Sequence, residues 1–267
     1  MGVRIGRMKF RRVVVDNTPP APRRTTIITT TEDGTQEFLI EGTLDRQWMI
    51  DNGFYAGYNW LKNITLVDIG TSVTSIGYAA FLSCSNLTGV TIPNSVTSIG
   101  ESAFESTGLT SIILPNSITN IGEFAFYECI GLTGTLILPN SVIIIDRSAF
   151  ENCDGLTGLL TIPNNVTSVG LSVFRNCRGL TSIKIGSGIT KVSFRMFGGC
   201  SNCTIFDFSD ALSVPSLGNV NAFASTPANK KIIVPDALYN SWIAASNWSS
   251  TTNGIVTSIV RASDFNN

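Results

Sequence analysis

Six cysteines are the residues of this chain best suited to metal, redox or nucleophilic chemistry. Two of them, Cys200 and Cys203, form a CxxC pair, which is a weak signal alone because a tetrahedral zinc site needs two more ligands. The sequence contains no histidine, which excludes Ser-His-Asp triads, Cys-His dyads and His-containing metal sites. We therefore expect no catalytic residue, no metal and no cofactor.

Carboxylate pairs are the second candidate, because glycoside hydrolysis needs two acids across the scissile bond. Glu101 with Glu105 and Glu123 with Glu128 supply the required residue type. Both pairs fall in variable turns of an internal repeat, where a solvated carboxylate lacks the burial that a general acid requires. We expect that the protein is not an enzyme, and a glycan-processing enzyme is the remote alternative.

One sequence motif recurs six times between Ile76 and Phe197, and the period of this repeat predicts the architecture of the fold. The copies align on phenylalanines that are 23, 22, 24, 24 and 23 residues apart. These anchors are Phe81, Phe104, Phe126, Phe150, Phe174 and Phe197. A period in the low twenties is typical of leucine-rich-repeat solenoids, which are stacks of coils that offer a long surface.

Each copy predicts a short strand followed by a turn. Val90 and Ile92 alternate with Thr91, so that Thr91 faces outward. Pro93 ends the strand because proline cannot continue a central ladder. A second apolar pair, Val96 and Ile99, follows at a spacing that suits another turn of the coil.

The repeat register also places the cysteines. Five of them lie three residues after an anchor phenylalanine: Cys84, Cys129, Cys153, Cys177 and Cys200. Thr107 holds that position in the second copy, and Cys203 falls at a repeat leucine position. A small buried thiol suits a crowded interior, so we expect inert buried thiols, with disulfides between neighbouring coils as the open alternative.

The sequence LTGVTIPNSVTSIGESAF, which ends at Phe104, resembles the BspA-type leucine-rich repeat, the Treponema pallidum-like class. The C-terminal VPDALYNSWIAASNWS is similar to the segment that often closes such arrays. The resemblance covers roughly half of the chain. It implies adhesive surface or secreted proteins of bacteria and some protists, which also occur in bacteriophage genomes.

We predict a mainly β fold, a short leucine-rich-repeat solenoid between two capping segments, in four regions. Residues 1–24 form a basic, proline-rich arm, residues 25–75 an N-terminal capping module, residues 76–226 the solenoid and residues 227–267 a C-terminal cap. The capping module has strands in TTIITTT and EFLI and an aromatic cluster of Trp48, Phe54, Tyr55, Tyr58 and Trp60. The C-terminal cap has strands in KKIIV and IVTSIV and a helix that starts at Pro235 and Asp236.

The arm carries seven cations against Asp16, a net charge of +6 on a chain of net charge −1. The cations are Arg4, Arg7, Lys9, Arg11, Arg12, Arg23 and Arg24. We expect the arm to anchor the protein in an acidic groove of a larger assembly, and a nucleic-acid partner is disfavoured because the remaining chain is acidic and the arm lacks interleaved aromatics. No stretch approaches the roughly 20 apolar residues of a membrane span. The apolar run of residues 13–15 is too short for a secretory signal, so we expect no Sec export.

Outward-facing hydroxyl residues are the candidate binding face: Thr88, Thr91, Thr110, Ser111, Thr133, Thr157, Thr181, Ser182 and Lys184. Solenoids commonly bind protein or glycan ligands through such faces, although threonine is also simply a good strand former. We expect a non-enzymatic binding protein on a phage virion, as a decoration or host-attachment component, and homo-oligomers are left open. The alternative is a bacterial surface adhesin exported by a non-Sec route or made from a longer precursor.

Overall fold

The computed structural model describes residues 26–31, 34–39, 42–45, 47, 64–218, 221–245, 248 and 258–265. The arm of residues 1–24 and the aromatic cluster around Trp48 lie outside the described residues. The described part is a β-solenoid, which confirms the predicted fold class. Among these residues, no helix has the length and apolar character needed to cross a membrane.

The strands are short because each coil turns sharply at its corners. In chain order they are β1 (Thr26–Thr31), β2 (Gly34–Leu39), β3 (Gly42–Leu44), β4 (Leu66–Asp68), β5 (Val73–Ile76), β6 (Gly89–Thr91), β7 (Ser98–Ile99), β8 (Asn120–Ile121), β9 (Ile144–Ile145), β10 (Gly158–Ile162), β11 (Ser168–Val169), β12 (Leu180–Ile185), β13 (Lys191–Val192), β14 (Ile205–Asp207), β15 (Ser216–Leu217), β16 (Lys231–Val234) and β17 (Ser258–Arg261). The described helices are a 3-10 turn, Asp236–Leu238, and two short α-helices, Tyr239–Ala244 and Ala262–Phe265.

We number the coils by their first residues. Coils 1 to 6 begin at Ile64, Leu87, Leu109, Leu132, Leu156 and Leu180, and coil 7 begins at Cys203. Coil 1 lies within the segment assigned above to the N-terminal capping module, because β4 and β5 already pair in parallel with β6 and β7.

Each coil has three sides. The strand face carries the sheets β2-β1-β4-β6 and β10-β12-β14-β16-β17. The second side carries the sheet β11-β9-β8-β7-β5-β3 and then the pair β13-β15. The third side, the turn face, contains the segments around the anchor phenylalanines and has no strand among the described residues.

The N-terminal strands join both sheets. β1 and β2 form an antiparallel hairpin, which confirms the strands predicted in TTIITTT and EFLI. β1 also pairs antiparallel with β4, with Ile28 opposite Asp68, and β3 pairs in parallel with β5. The chain therefore enters the solenoid as an extension of its strand face.

A column of stacked rings fills the interior. The six anchor phenylalanines are fully buried, and successive ring centroids from Phe81 to Phe197 are 5.2, 5.3, 5.1, 5.7 and 6.3 Å apart. Adjacent ring planes lie within 13° of each other. One ring per coil is what a strict repeat with a single large core side chain produces.

The turn face depends on left-handed backbone at two positions per coil. In coil 4 these are Ser148 and Asn152, two residues before and after Phe150, with φ of 53° and 63°. Such φ values are uncommon for residues other than glycine. They let the turns hydrogen-bond along the stack, as where the Phe81 N–H donates to the Ala103 carbonyl at 2.8 Å.

Four aromatic residues pack together at the C-terminal end of the described solenoid. Trp242, from the helix Tyr239–Ala244, and Trp248 are buried with ring centroids 5.2 Å apart, and both pack on Phe208. Trp248 also contacts the ring of Phe223, and its Nε1 donates to the Pro215 carbonyl at 2.9 Å.

Candidate binding surface

All nine residues predicted for the binding face lie on the strand face, in a strand or in the segment equivalent to one. The seven threonine and serine residues from Thr88 to Thr181 are exposed, whereas Ser182 and Lys184 are half-buried. The Lys184 ammonium pairs with the Asp210 carboxylate at 3.2 Å. Their participation in binding stays a prediction.

Several of these hydroxyls are already engaged by the solenoid. The Thr88 hydroxyl donates to the Thr65 carbonyl at 3.2 Å, Thr110 to Thr88 at 3.1 Å and Thr133 to Thr110 at 3.2 Å. Each bond joins one coil to the preceding coil. The oxygen keeps a lone pair for a ligand, but its single proton is committed to the backbone. These three hydroxyls therefore stabilise the strand face and offer a ligand only hydrogen-bond acceptors.

Four exposed aliphatic side chains lie on the same face at two repeat positions, which are two residues apart along the strand, and we call this set the apolar row. Ile113 is 83% exposed and Ile137 is 75% exposed, while Leu66 and Leu159 are about half exposed. Ile113 and Ile137 occupy the outward repeat position of Thr91. This repeat position could have shown from the sequence that both isoleucines face outward, but the prediction considered only hydroxyl residues and Lys184.

The sheet is interrupted where the apolar row is most exposed. No backbone hydrogen bond joins residues 111–114 to the described coils on either side, and on the strand face only isolated bridges at Gly134 and Ile137 link coil 4 to coil 5. Coils 4 and 5 each hold one more residue before their proline than coil 2 does. Gly134 and Gly158 accommodate the extra residue with φ of 77° and 76°, as in a β-bulge.

A depression of 440 Å³ leads from the first coil to Ile113. Its walls include Leu66, Asp68 and Ile113, and its floor includes Gly89 and Val90. A Cβ atom at Gly89 would lie 2.8 Å from Leu66 Cδ2, so glycine is what leaves this floor open. We call this depression the groove.

Charge divides the solenoid into two halves. Residues 64–155 contain eight carboxylates against Arg147, a net charge of −7, whereas residues 156–267 carry eight cations against four acids. On the strand face of coils 1 to 5, Asp68 is the one charged residue among the described positions. The half of the face that carries Ile113 and Ile137 is thus nearly uncharged, on an acidic body.

Three acids on or beside the turn face pair with arginines of the next coil. Glu123 contacts Arg147 at 3.2 Å, Asp154 contacts Arg178 at 2.5 Å, and Glu151 contacts Arg175 at 2.6 Å. Glu151 is nearly buried and also accepts a bond from the Ser148 hydroxyl at 2.7 Å. These carboxylates act as links between coils.

The predicted buried position of the repeat cysteines is confirmed, and no disulfide joins any of the described cysteines. Burial raises the pKa of Cys129 to about 11, and it raises the pKa of Cys153 well above its usual value. The CxxC thiols of Cys200 and Cys203 are buried too. Among the described residues, no three Cys, Asp or Glu side chains come together as a metal-ligand set.

A profile of the BspA type leucine rich repeat region matches the chain in six copies, over residues 50–156 and 132–241. The chain belongs to this family. The matched residues include all six anchor phenylalanines, so the stacked rings are a product of the family repeat. The profile also matches the C-terminal turn and helix as far as residue 241, within the segment assigned above to the cap.

Several solved structures are similar to this BspA-type chain. The leucine rich repeat protein of T. pallidum is 23% identical, with a TM-score of 0.49 over 74% of this chain and 93% of that one. A leucine rich cell surface protein of Faecalibacterium prausnitzii is 25% identical, with a TM-score of 0.43 over 78% of this chain and 63% of that one. The pneumococcal vaccine antigen PcpA is 18% identical, with a TM-score of 0.39, over 74% and 68% of the two chains. Comparison with curated protein sequences gave no match.

Proposed function

We propose that this protein is a non-enzymatic binding protein that displays its strand face on a surface and takes a protein ligand on the apolar row. The observation that carries the proposal is the exposure of Ile113 and Ile137 at the centre of that face. Fully burying such a side chain contributes about 1.5–3 kcal/mol, so two adjacent isoleucines suffice for a binding hot spot.

The chemistry of the face favours a polypeptide over a glycan. The row is aliphatic, and the hydroxyl protons of Thr88, Thr110 and Thr133 are committed to the neighbouring coil. The unpaired backbone of residues 111–114 adds donors and acceptors of the kind that a peptide chain also presents. A protein segment with large apolar side chains matches both features.

The place of display is a separate part of the proposal. Membership of the BspA-type family favours a bacterial cell surface, because its members are typically surface proteins. Display on a virion stays a prediction, and mass spectrometry of purified virions beside washed envelopes of uninfected cells separates the two. Detection of the chain only in those envelopes would exclude the virion.

Binding is tested with two defined probes, a random-peptide display library and a glycan array. The wild-type protein is expected to enrich peptides with large apolar residues, and the double variant I113D/I137D is expected to lose them. The matched control is I143D/I144D, which changes two exposed isoleucines on the second side of the coil. Glycan binding that survives in I113D/I137D, or equal peptide loss in both variants, would contradict the proposal.

The remote enzyme alternative has its own test. Glu101 and Glu105 are replaced together by glutamine, and hydrolysis of the glycans on the array is measured. Hydrolysis by the wild-type protein that disappears in this variant would contradict the non-enzymatic proposal. Hydrolysis that is absent, or that is unchanged by the substitutions, supports it.

A further inference from the structure

The outward repeat position of Ile113 and Ile137 forms a line across six coils of the strand face. From coil 1 to coil 6 its occupants are Asp68, Thr91, Ile113, Ile137, Thr161 and Lys184. The line thus runs from a carboxylate through threonine to isoleucine, and then from isoleucine through threonine to an ammonium. It has the same order of side-chain types from either end, with opposite charges at its two ends.

A line with this order matches a second copy of itself across a two-fold axis. An axis that is parallel to the strands and lies between coils 3 and 4 brings two strand faces together with their coils in reverse order. The residues then opposite each other are Ile113 and Ile137, Thr91 and Thr161, and Asp68 and Lys184. Each of these contacts occurs twice, because a two-fold interface uses the same surface on both copies.

A second line of outward positions, two residues earlier along the strands, fits the same axis by shape. It contains Gly89 in coil 2 and Leu159 in coil 5, which the axis places opposite each other. Gly89 forms the floor of the groove, and Leu159 is about half exposed. The groove of 440 Å³ is larger than one leucine side chain, so it has room for Leu159 of the second copy.

The charge of the solenoid favours the reversed order of coils. Residues 64–155 carry a net charge of −7, and residues 156–267 carry eight cations against four acids, a net charge of +4. With the coils reversed, the acidic half of each copy lies over the basic half of the other. With the coils in the same order, the two acidic halves would face and repel each other.

The charged ends of the line add a local contact. The Asp68 carboxylate is half-buried and pairs with no cation among the described residues. The Lys184 ammonium contacts Asp210 at 3.2 Å, and because an ammonium has three N–H donors it can also bind a second carboxylate. Both residues lie at the rim of the face, so we expect this pair to fix the order of the coils more than it adds affinity.

The size of the face sets the strength of the contact. Six coils at about 4.8 Å and five strand residues at about 3.3 Å give a face of roughly 480 Å² per copy. Two such faces bury roughly 1,000 Å² in total, which is at the low end for specific interfaces. We therefore expect a reversible dimer with a dissociation constant in the micromolar range.

We propose that the strand face of coils 1 to 6 binds a second copy of this chain across a two-fold axis between coils 3 and 4. Ile113 and Ile137 form the centre of the interface, and Leu159 of each copy enters the groove of the other. The proposal rests on the proposed function, because it names a second copy of the chain as one protein partner of the apolar row. Any other protein ligand of this row must compete with the dimer.

The dimer is tested by sedimentation velocity of the full chain over a concentration series in the micromolar range. We expect the wild-type protein to change from monomer to dimer, and I113D/I137D to raise the dissociation constant at least about a hundredfold. I143D/I144D is the matched control and should dimerise like the wild type, with unchanged melting temperatures to show that both variants are folded. A wild-type protein that stays monomeric, or a dimer that persists in I113D/I137D, would overturn the proposal.

The order of the coils is tested by crosslinking between cysteines. Thr91→Cys and Thr161→Cys are prepared separately and treated with a short bis-maleimide at pH 7, each alone and as a mixture. The new cysteines should react first, because the described native cysteines are buried. We expect several-fold more crosslinked dimer in the mixture, since reversed coils leave two copies of position 91 about 14 Å apart. Equal yields, or a higher yield for Thr91→Cys alone, would contradict the reversed order.

These results can be separated from those of the peptide library, because the dimer is measured without a ligand. A monomeric wild-type protein whose peptide binding is lost in I113D/I137D would overturn the dimer and leave the proposed function in place. A wild-type dimer with the expected crosslinks, but without any enriched peptide, would support the dimer and contradict the peptide ligand.

Discussion

The Cys153 thiol donates a hydrogen bond to the Phe126 carbonyl on the preceding coil, with 3.1 Å between Sγ and the oxygen. The bond recurs along the stack, from Cys129 to Phe104, from Cys177 to Phe150 and from Cys200 to Phe174, at 3.0–3.2 Å. The repeat cysteine therefore links each anchor phenylalanine to the next coil. The thiol, a residue type that can act as a nucleophile, is buried here and donates a structural hydrogen bond.

This arrangement predicts that the protein loses stability at alkaline pH. Burial raises the pKa of Cys129 to about 11, above its value in the unfolded chain, so the unfolded state releases protons first as pH rises. The contribution of the thiol is fully present below about pH 9 and is lost between about pH 9 and 11, at about 1.4 kcal/mol per pH unit. Urea unfolding at a series of pH values measures the slope.

Thr107 suggests the matched control, because it fills the cysteine position of coil 2, where its hydroxyl donates to the Phe104 carbonyl of its own coil at 2.9 Å. Cys129→Thr should reduce the alkaline loss of unfolding free energy per pH unit by the contribution of one thiol. The native thiols should also resist a disulfide reagent at pH 8 until the chain unfolds. An unchanged slope in Cys129→Thr, or rapid labelling of the folded protein, would contradict the assignment.

Removal of one ring from the column should destabilise the solenoid strongly. Phe150 lies between Phe126 and Phe174, with centroids 5.1 and 5.7 Å away. Phe150→Ala should lower the free energy of unfolding by about 3–5 kcal/mol, and Phe150→Leu by less because it leaves a smaller cavity. Ile113→Ala, at an 83% exposed position, should change it by less than about 0.5 kcal/mol. Equal effects in chemical denaturation would show that the column does not support the core.

The solenoid could be predicted from the sequence because each coil must bury the same apolar positions. The spacing between the anchor phenylalanine, the residue before it and the repeat cysteine is constant, as at Ala149, Phe150 and Cys153. This constant spacing is sufficient to assign these positions to the interior. The left-handed serines, such as Ser148, could not be predicted in this way, since most residues avoid positive φ. The stacked coils impose that backbone on whichever residue is present.

The apolar row was missed for a physical reason. Ile113 and Ile137 have the same β-branched side chain as residues of the core, and only their register places them outside. The interruption of the sheet depends on how the bulges at Gly134 and Gly158 displace neighbouring strands, which is a tertiary effect. The threonines were placed on the correct face, but the commitment of their protons to the backbone follows only from distances between coils.

Two ion pairs that look alike in sequence should differ in strength. Glu151 is 6% exposed and accepts bonds from Arg175 and Ser148, whereas Glu123 and Arg147 are both partly exposed to solvent. Arg175→Ala should cost about 1–3 kcal/mol because it leaves a nearly buried carboxylate without its cation, although the guanidinium is partly exposed. Arg147→Ala should cost less than about 1 kcal/mol.

A double-mutant cycle tests this difference. The coupling free energy of Glu151 with Arg175 should exceed that of Glu123 with Arg147, and added salt should weaken mainly the second pair. Equal coupling in the two cycles would mean that burial of Glu151 does not strengthen its ion pair. Thermal unfolding at low and high ionic strength gives the salt dependence directly.

Two glycines should respond differently to alanine. A Cβ at Gly155 would lie 2.4 Å from the Leu132 carbonyl oxygen, one turn of the solenoid earlier, so Gly155→Ala must push the two stacked segments apart. Gly134 has nothing within 4 Å of its Cβ position, and its φ of 77° is the one obstacle. Gly134→Ala should therefore cost about 1–2 kcal/mol, from backbone strain alone. Gly155→Ala should cost more, and the reverse order in urea unfolding would contradict the close approach of the chain at Gly155 to the chain at Leu132.

Deletion of residues 1–24 should separate folding from assembly. The described hydrophobic core extends from Ile64 to Trp248, so we expect the truncated protein to keep the cooperative unfolding and melting temperature of the full chain. If the arm is the anchor, incorporation into the envelope or virion fraction should be abolished. The charge reversal R7E/K9E/R11E is the matched control, because it keeps the length of the arm while it inverts its charge. Both variants should fail to assemble, because an acidic receptor groove binds the positive charge of the arm, which the deletion removes and the substitutions reverse. Loss of cooperative unfolding on truncation would instead make the arm a structural part of the solenoid, and normal incorporation of either variant would rule out a cationic anchor.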